Sequence, residues 1–450
     1  MSKDLILKTL KHEKVDTVPW VPFSGVHAGF LKGYTAREVL TDGDKLFESL
    51  QEVHKMYTPD GVPIMFDLQI EAEIMGCDLL WAEDNPPSVT THPYEGKEKK
   101  IPCSCKIPKK TDGRIPLVLD VMQRSKETFG NDTALYGLIC GPATLASHLR
   151  GNDFFMDIIK DKAFAAEMFS YCCEVAIAMS GYYIDAGMDV IAVVDPIISQ
   201  IAPKAIEKLF LEAYQTVFDY IRSRGALSSF FVCGDATIQL DVMSRTHADG
   251  LSVDENVNLA EAKKITDSYG IAIGGNIPLT TVMLFGTQQD NMKYVVDQLD
   301  TVGHENLIVS PGCDMPYNVP IDNTIACVQA VKNTDEVREM IANYEAVDTL
   351  GDVDLPDYEK LDKPFIEVFT LDPVQCAACT YMTSAAEVAK EEYGDKIDFA
   401  VYKYCVKEDI ARTQKMGVQH LPSIYINGEL KWSSIIPSRE EMLSAVEKAF

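Results

Sequence analysis

Long hydrophobic runs and basic residues are both scarce in this chain. No stretch of 18 apolar residues is free of charged side chains, so a membrane-spanning helix is not expected. Lys plus Arg number 41 against 68 for Asp plus Glu, which gives a formal net charge of −27. Such a surface repels phosphate backbones and anionic lipid head groups, so binding to nucleic acids or to membranes is not expected either.

A disulfide framework and a secretory signal are also lacking. The 12 cysteines are spread over 450 residues without regular spacing, and the first five residues, MSKDL, do not form a signal peptide. These features predict a reducing cytoplasm in which a few cysteines are kept for chemistry. The length predicts two or three domains, or fewer if one of them is a large α/β barrel.

Residues 1 to about 345 repeat one pattern, in which a short apolar strand is followed by a Gly-, Pro- or Asp-containing loop and a helical segment. Strands that are apolar on both faces are typical of a parallel sheet. Eight of them predict a (β/α)8 TIM barrel over residues 1–347, and a doubly wound open sheet is the alternative. The predicted strands are 18–23, 62–67, 135–140, 189–194, 228–232, 249–253, 271–275 and 306–310.

Two segments break this pattern. Residues 83–118 contain Pro-Pro and a Lys-rich run and are predicted to form a hairpin or lid near the barrel mouth. An acidic, Pro-containing linker is predicted at 348–363, and a second, smaller α/β domain at 364–450.

Candidate site residues follow the predicted barrel strands, because the active sites of such barrels lie at the C-terminal ends of the strands. Cys233 and Cys313 each follow a strand in a Gly-containing loop. Thiolates bind zinc, but two small thiols that pack at strand ends are the alternative. The other candidates are Asp67, Glu71 and His27 for catalysis and Asp195 and Asn276 for substrate binding. Carboxylates in such turns are often helix N-caps, and a single histidine is often structural.

The smaller domain combines Cys376-Ala-Ala-Cys379 at a helix start with Pro422 and a hairpin turn at Asn427-Gly428. A thiol at a helix N-terminus ionises more readily, so Cys376 is the predicted nucleophile, and Cys379 would resolve a mixed disulfide. A domain kept only for docking and a zinc half-site are the alternatives.

Several motifs resemble known families. GLICGP (137–142), DAGMDV (185–190) and GGNI (274–277) resemble the uroporphyrinogen decarboxylase superfamily. FDLQIEAEIMGC (66–77) and PGC (311–313) are similar to its methylcobamide methyltransferase branch, which moves a methyl group between a corrinoid protein and a thiol such as coenzyme M. The C-terminal domain resembles thioredoxin and glutaredoxin, with Pro422 in the place of their cis-proline.

The resemblance implies a corrinoid-dependent methyltransferase with a thioredoxin-like redox domain. That branch holds zinc with a His-x-Cys motif and a distant cysteine, which here correspond to Cys233 and Cys313, but Phe231 occupies the histidine position. A substitute ligand is then required, or the two thiols do redox or binding work; the candidate substitutes are Asp235, His247, Glu255 and Asp314. The implied partners are a corrinoid protein, which supplies the corrinoid, and a small methyl donor or acceptor, and a homodimer is left open.

Decarboxylation of a tetrapyrrole is the second hypothesis, because Asp67 aligns with the catalytic aspartate of the decarboxylases. The decarboxylases bind substrate carboxylates with an Arg-rich N-terminal segment, whereas the corresponding residues 18–34 contain no Arg. A non-catalytic redox adaptor is the third hypothesis.

Overall fold

The computed structural model describes residues 2–345, 350–371 and 377–450. They include two compact units, the larger within residues 2–345 and the smaller within residues 350–450. The strands of the larger unit are β1 (Gly61–Pro63), β2 (Leu79–Leu80), β3 (Ser88–Val89), β4 (Ala134–Cys140), β5 (Val190–Val194), β6 (Leu227–Val232), β7 (Gly250–Val253), β8 (Ala272–Ile277) and β9 (Leu307–Pro311). Its helices are α1 (Ser2–Leu10), α2 (His27–Phe30), α3 (Ala36–Thr41), α4 (Gly43–Tyr57), α5 (Ile70–Ile74), α6 (Ile115–Thr128), α7 (Pro142–Arg150), α8 (Asp153–Lys160), α9 (Lys162–Asp185), α10 (Pro203–Leu209), α11 (Leu211–Ser223), α12 (Leu240–Ser244), α13 (Leu259–Tyr269), α14 (Gln288–Val302), α15 (Ile321–Lys332) and α16 (Thr334–Met340).

The larger unit is a closed parallel barrel. Seven parallel strands pair in the order β1-β4-β5-β6-β7-β8-β9. The extended segment around Trp20 closes the sheet, because Val21 N donates to Val309 O (3.0 Å) on one side and Gly61 N donates to Trp20 O (3.4 Å) on the other. The prediction of a (β/α)8 barrel is therefore confirmed, and the open doubly wound sheet is wrong.

The apolar periodicity of the sequence predicts one helix over 157–186 and another over 203–224, and both are interrupted in the structure. The segment 157–186 is divided between α8 and α9 at Asp161, which has non-helical dihedral angles and accepts a hydrogen bond from Phe164 N as the N-cap of α9. The segment 203–224 is similarly divided between α10 and α11 at Phe210. Apolar periodicity does not reveal such breaks, because both parts of each segment bury apolar residues on the barrel.

Helix α9 is long and apolar, as is typical both of membrane-spanning helices and of helices buried in a protein core. Among the described residues it is the one helix long and apolar enough to cross a membrane. Core helices meet the same criterion, and 61% of its most apolar window is buried within the structure. It packs against α7 and α11.

Residues 79–89 form a short antiparallel hairpin of β2 and β3, at the start of the segment predicted as a hairpin or lid. Most of 83–118 lies outside regular structure until α6 begins at Ile115. Cys103 and Cys105 are exposed in this segment.

The smaller unit has a four-stranded sheet in the order β11-β10-β12-β13. β10 (Phe365–Thr370) is parallel to β11 (Asp398–Lys403), and β12 (Ser423–Ile426) is antiparallel to β10 and to β13 (Glu429–Ser433). The helices are α17 (Ala377–Tyr393), α18 (Lys407–Lys415) and α19 (Arg439–Glu447). This order confirms the predicted thioredoxin-like topology. The predicted boundary between residues 347 and 348 lies outside the described residues.

Candidate functional site

The mouth of the barrel carries a pair of bonded sulfur atoms. Cys233 follows β6 and Cys313 follows β9, and the two form a disulfide with Cα atoms 6.0 Å apart. Both residues are partly buried and pack against the apolar barrel core. The two turns that the sequence analysis singled out therefore meet at the C-terminal ends of the strands, where such barrels hold their substrates.

Three phenylalanines form an aromatic floor, defined as Phe23, Phe66 and Phe231, beneath this pair. The ring centroid of Phe231 lies 4.8 Å from that of Phe23 and 5.9 Å from that of Phe66. Phe231 is fully buried, and the two cysteines pack against the same core cluster. The residue in the histidine position thus has a packing role and offers no lone pair to a metal.

The donor set at the mouth does not fit the catalytic zinc site of the methyltransferase branch. Catalytic zinc uses three protein ligands and an open position, and its cysteine ligands are thiolates rather than disulfide sulfurs. Across the described ranges, no group of three or more His, Cys, Asp or Glu side chains is arranged to hold a metal ion. Zinc bound by Cys233 and Cys313 stays a prediction.

The candidate substitute ligands occupy different positions. His247 precedes β7, so it lies at the N-terminal end of the barrel, where its Nδ1 is 3.0 Å from an oxygen of Asp219. This position excludes His247 from the mouth. Asp235, two residues after Cys233, accepts a hydrogen bond from Thr237 N at 3.0 Å.

Glu255 is a half-buried residue beside the Cys313 turn. It accepts a hydrogen bond from Leu279 N at 2.6 Å, and burial together with the charge of Asp254 raises its pKa to about 8. The backbone of Glu255 also lies against Gly312, where a Cβ atom would come within 2.9 Å of Glu255 N. Glycine at 312 therefore allows the Cys313 turn to approach the backbone of Glu255.

Asp314 is a second half-buried acidic residue, next to Cys313 in the chain. Within the described ranges its Oδ1 is buried without a hydrogen-bond partner, and burial raises the pKa of Asp314 well above its usual range. It packs against Gly25, whose φ is +39° and where a Cβ atom would overlap Oδ1. The Oδ1 atom of Asp314 is therefore closed off from solvent against the Gly25 turn.

Asp67 is engaged by a residue that the sequence analysis did not identify. Arg114 Nη1 forms an ion pair with Asp67 Oδ2, Arg114 Nε donates to Glu73 Oε2 at 2.8 Å, and Gln69 N donates to Asp67 Oδ1 at 2.8 Å. Both oxygens of Asp67 are therefore occupied. Arg114 stands 47 residues further along the chain, just before α6, and no local motif marks it.

Glu71 is buried between α5 and β4. Its Oε1 accepts a hydrogen bond from Cys140 N at 3.1 Å, and burial raises its pKa to about 7. A carboxyl with such a pKa can gain or lose a proton near neutral pH. Glu71 keeps its predicted catalytic role as a hypothesis.

His27 has the surroundings of a structural histidine. It is fully buried, and its ring nitrogens lie 2.8 Å from Tyr317 O and 2.7 Å from the Tyr57 hydroxyl. Burial lowers its pKa to about 4. Both nitrogens are already used within the protein, so these contacts favour the structural alternative over catalysis.

Asp195 and Asn276 are likewise committed to internal contacts. Asp195 accepts hydrogen bonds from Ala143 N (2.9 Å) and Thr144 N (2.8 Å) at the start of α7, and also from the Tyr214 hydroxyl. The Asn276 amide donates to the carbonyl oxygens of Asp254 and Val257 at 2.9 and 2.7 Å. These contacts favour capping and crosslinking of the barrel turns over substrate binding.

The predicted redox centre of the smaller unit is described in part. Cys376 lies outside the described residues. Cys379 is buried in the first turn of α17, where its Sγ accepts a hydrogen bond from Leu371 N at 3.4 Å. The Leu421–Pro422 peptide bond is cis.

The fold and the sulfur pair define the class of protein. It is a parallel α/β barrel with a pair of cysteines at its mouth, and the same chain carries a thioredoxin-like domain. The family model "Uroporphyrinogen decarboxylase (URO-D)" matches residues 1–334, and a thioredoxin domain model matches residues 366–447. The chain belongs to the uroporphyrinogen decarboxylase family.

The relatives include both branches of this family. The chain is 26% identical to a methylcobamide:CoM methyltransferase MtbA of Methanosarcina acetivorans over 74% of the chain and 97% of that protein. It is 23% identical to a uroporphyrinogen decarboxylase of Prochlorococcus marinus over 75% and 98%. A solved methyltransferase structure from Methanosarcina mazei has a TM-score of 0.68 at 24% identity and covers 74% of the chain and 99% of that structure. The methyltransferase relatives confirm the predicted enzyme class, and the solved structure confirms the fold.

Proposed function

We propose that the barrel moves a methyl group between a methylcobamide, carried by a partner corrinoid protein, and a thiol or other small acceptor. The observation that carries this proposal is the meeting of Cys233 and Cys313 at the mouth of the barrel. The similarity to a methylcobamide:CoM methyltransferase over 97% of its length supports it. The cytoplasm stays the predicted location.

When the methyl group moves from the methylcobamide to a thiol acceptor, the bonding electron pair stays with the corrinoid. The acceptor sulfur loses its proton and forms the new bond to the methyl carbon. The aromatic floor offers an apolar surface that excludes water from the acceptor. In this proposal the reduced Cys233 and Cys313 hold or activate the acceptor, and Glu71 takes up the proton that the acceptor sulfur loses.

Decarboxylation is less well supported by the same site. The carboxylate of Asp67, which aligns with the catalytic aspartate of the decarboxylases, is paired with Arg114 and with Gln69 N. The side chain of Asp67 is also fully buried, so it presents no surface to the pyrrole N–H groups of a tetrapyrrole.

Residues 364–450 are proposed to act as a thiol–disulfide redox domain through Cys376 and Cys379. The proposed coupling is that this domain keeps thiols of the barrel or of a partner reduced, or relays a disulfide. The match to a thioredoxin domain model supports this role. If the Cys376→Ser, Cys379→Ser double variant shows unchanged methyl transfer under mild oxidant, the proposed coupling to the barrel is wrong.

The test of methyl transfer uses the reduced full chain with methylcobalamin and 2-mercaptoethanesulfonate. Loss of the methylcobalamin absorbance together with formation of the methyl thioether is the expected result. Cys313→Ser should lower the rate at least tenfold, whereas Cys103→Ser, at an exposed cysteine outside the mouth, should leave it unchanged. Carbon dioxide release from uroporphyrinogen without any methyl transfer would refute the proposal.

A further inference from the structure

The disulfide at the mouth joins two turns that are not neighbours. β7 and β8 lie between β6 and β9 in the sheet, so the Cys233–Cys313 bond bridges across part of the barrel opening. The Cα separation of 6.0 Å is within the range of ordinary disulfides, so the backbone accommodates the bond as it stands.

The surroundings of this bond differ from those of a buried structural crosslink. Its two residues are partly exposed on one side and rest on the barrel core on the other. Exposed disulfides are the ones that exchange readily with thiols. The remaining cysteines described in the barrel are free thiols: Cys77, Cys103, Cys105, Cys140, Cys172, Cys173 and Cys327. A barrel that keeps seven free thiols among its described residues does not rely on disulfides for stability, so the bond at its mouth needs a chemical explanation.

The residues around the two sulfur atoms also indicate a chemical role for this bond. Phe231 leaves the cysteine pair without the histidine that would complete a zinc site. No third His, Asp or Glu among the described residues is arranged with these two sulfurs to hold a metal ion. Two thiols within bonding distance undergo reversible oxidation to a disulfide.

We propose that Cys233 and Cys313 form a reversible dithiol–disulfide exchange site whose reductant is a dithiol. One donor thiolate attacks a mouth sulfur, the Cys233–Cys313 bond breaks and a mixed disulfide forms. The second donor thiolate then releases the donor as a disulfide. Two electrons and two protons pass from the donor to the two cysteines. The inference concerns this exchange and does not depend on methyl transfer.

The experiment measures thiols in the native full chain. After treatment with glutathione disulfide, peptide mass spectrometry should find the Cys233–Cys313 linked peptide. Dithiothreitol should then make both residues reactive to iodoacetamide without denaturant, which peptide mass spectrometry counts as a gain of two alkylated thiols at these two positions. The buried Cys140, Cys172 and Cys327 should stay unreactive and serve as the internal control.

Two variants sharpen this test. Cys313→Ala should leave Cys233 reactive without any reductant, whereas Cys103→Ser should behave at the mouth as the unchanged chain does. Failure to form the linked peptide under oxidant, or a bond that native dithiothreitol does not open, would overturn the proposal. So would one equivalent of zinc per chain that protects both cysteines from iodoacetamide until a chelator is added.

A further arm identifies the source of the dithiol. One equivalent of dithiothreitol is added to the oxidised chain and to the Cys376→Ser, Cys379→Ser variant, and the appearance of the two mouth thiols is timed. A rate at least fivefold lower in the variant assigns the donor role to the C-terminal domain. Equal rates assign it to a free dithiol, and both results support the exchange site.

Discussion

Replacement of His27 with Gln tests whether this histidine stabilises the barrel in its neutral form. A carbonyl oxygen only accepts hydrogen bonds, so Nδ1 carries the proton that faces Tyr317 O, and Nε2 accepts from the Tyr57 hydroxyl. A doubly protonated ring would lose the second of these bonds and bury a charge. This arrangement explains why burial lowers the pKa of His27 from 6.5 to about 4.

The sign and size of the effect follow from that shift. Between pH 6.5 and 4 the unfolded chain binds a proton at this residue that the folded barrel does not bind. The stability due to neutral His27 is therefore complete above pH 6.5 and is lost as the pH falls towards 4. The full shift corresponds to about 3 kcal/mol, of which about 1 kcal/mol is lost between pH 7.5 and 5.5.

Urea unfolding at pH 7.5 and 5.5 measures this loss. The buried Trp20 reports on the barrel when the other two tryptophans are replaced by Phe. Between pH 7.5 and 5.5, the change in unfolding free energy of the parent chain, and of a control with His304→Gln at an exposed position, should be about 1 kcal/mol less favourable than that of His27→Gln. Parallel pH dependence in all three proteins would refute the reasoning.

Four further substitutions have defined outcomes. The folded chain holds the proton of Glu71 more tightly than the unfolded chain does, so the parent should lose about 3 kcal/mol of stability as pH rises from 4.5 to 7. Glu71→Gln should abolish this loss in urea titrations. Asp195→Ala should lower the free energy of unfolding by about 3 kcal/mol, since buried donors lose their acceptor. Arg412→Met should destabilise the smaller unit in thermal scans by about 3–5 kcal/mol, because it leaves the buried Glu367 unpaired. Phe231→His should gain a zinc-dependent rise in Tm that the parent chain lacks.

The barrel could be predicted from the sequence because its strands are short, apolar on both faces and separated by clear turns. The pairing of Cys233 with Cys313 could be anticipated from their matched turns and from the family resemblance. Chain spacing alone gave no support for it, because 80 residues separate them.

The other contacts of the site could not be predicted. The ion pair of Arg114 with Asp67 joins distant residues with no shared motif. The roles of His27 and Asp195 depend on Tyr57, Tyr317 and the start of α7, which only the folded chain brings within hydrogen-bond distance. A polar side chain after a strand therefore shows where a site can lie, but not whether the residue faces substrate or protein.

The segment before the smaller unit has a practical consequence. The Tyr358 hydroxyl donates to Glu367 Oε2 at 2.6 Å, and Arg412 donates to the Asp354 carbonyl at 2.9 Å. Asp354 and Tyr358, which lie in the predicted linker, thus make hydrogen bonds to the core of the smaller unit. A fusion protein that uses this domain should therefore begin upstream of Asp354. If it began at residue 364, the buried ion pair between Arg412 and Glu367 would lose its hydrogen bonds to Asp354 and Tyr358.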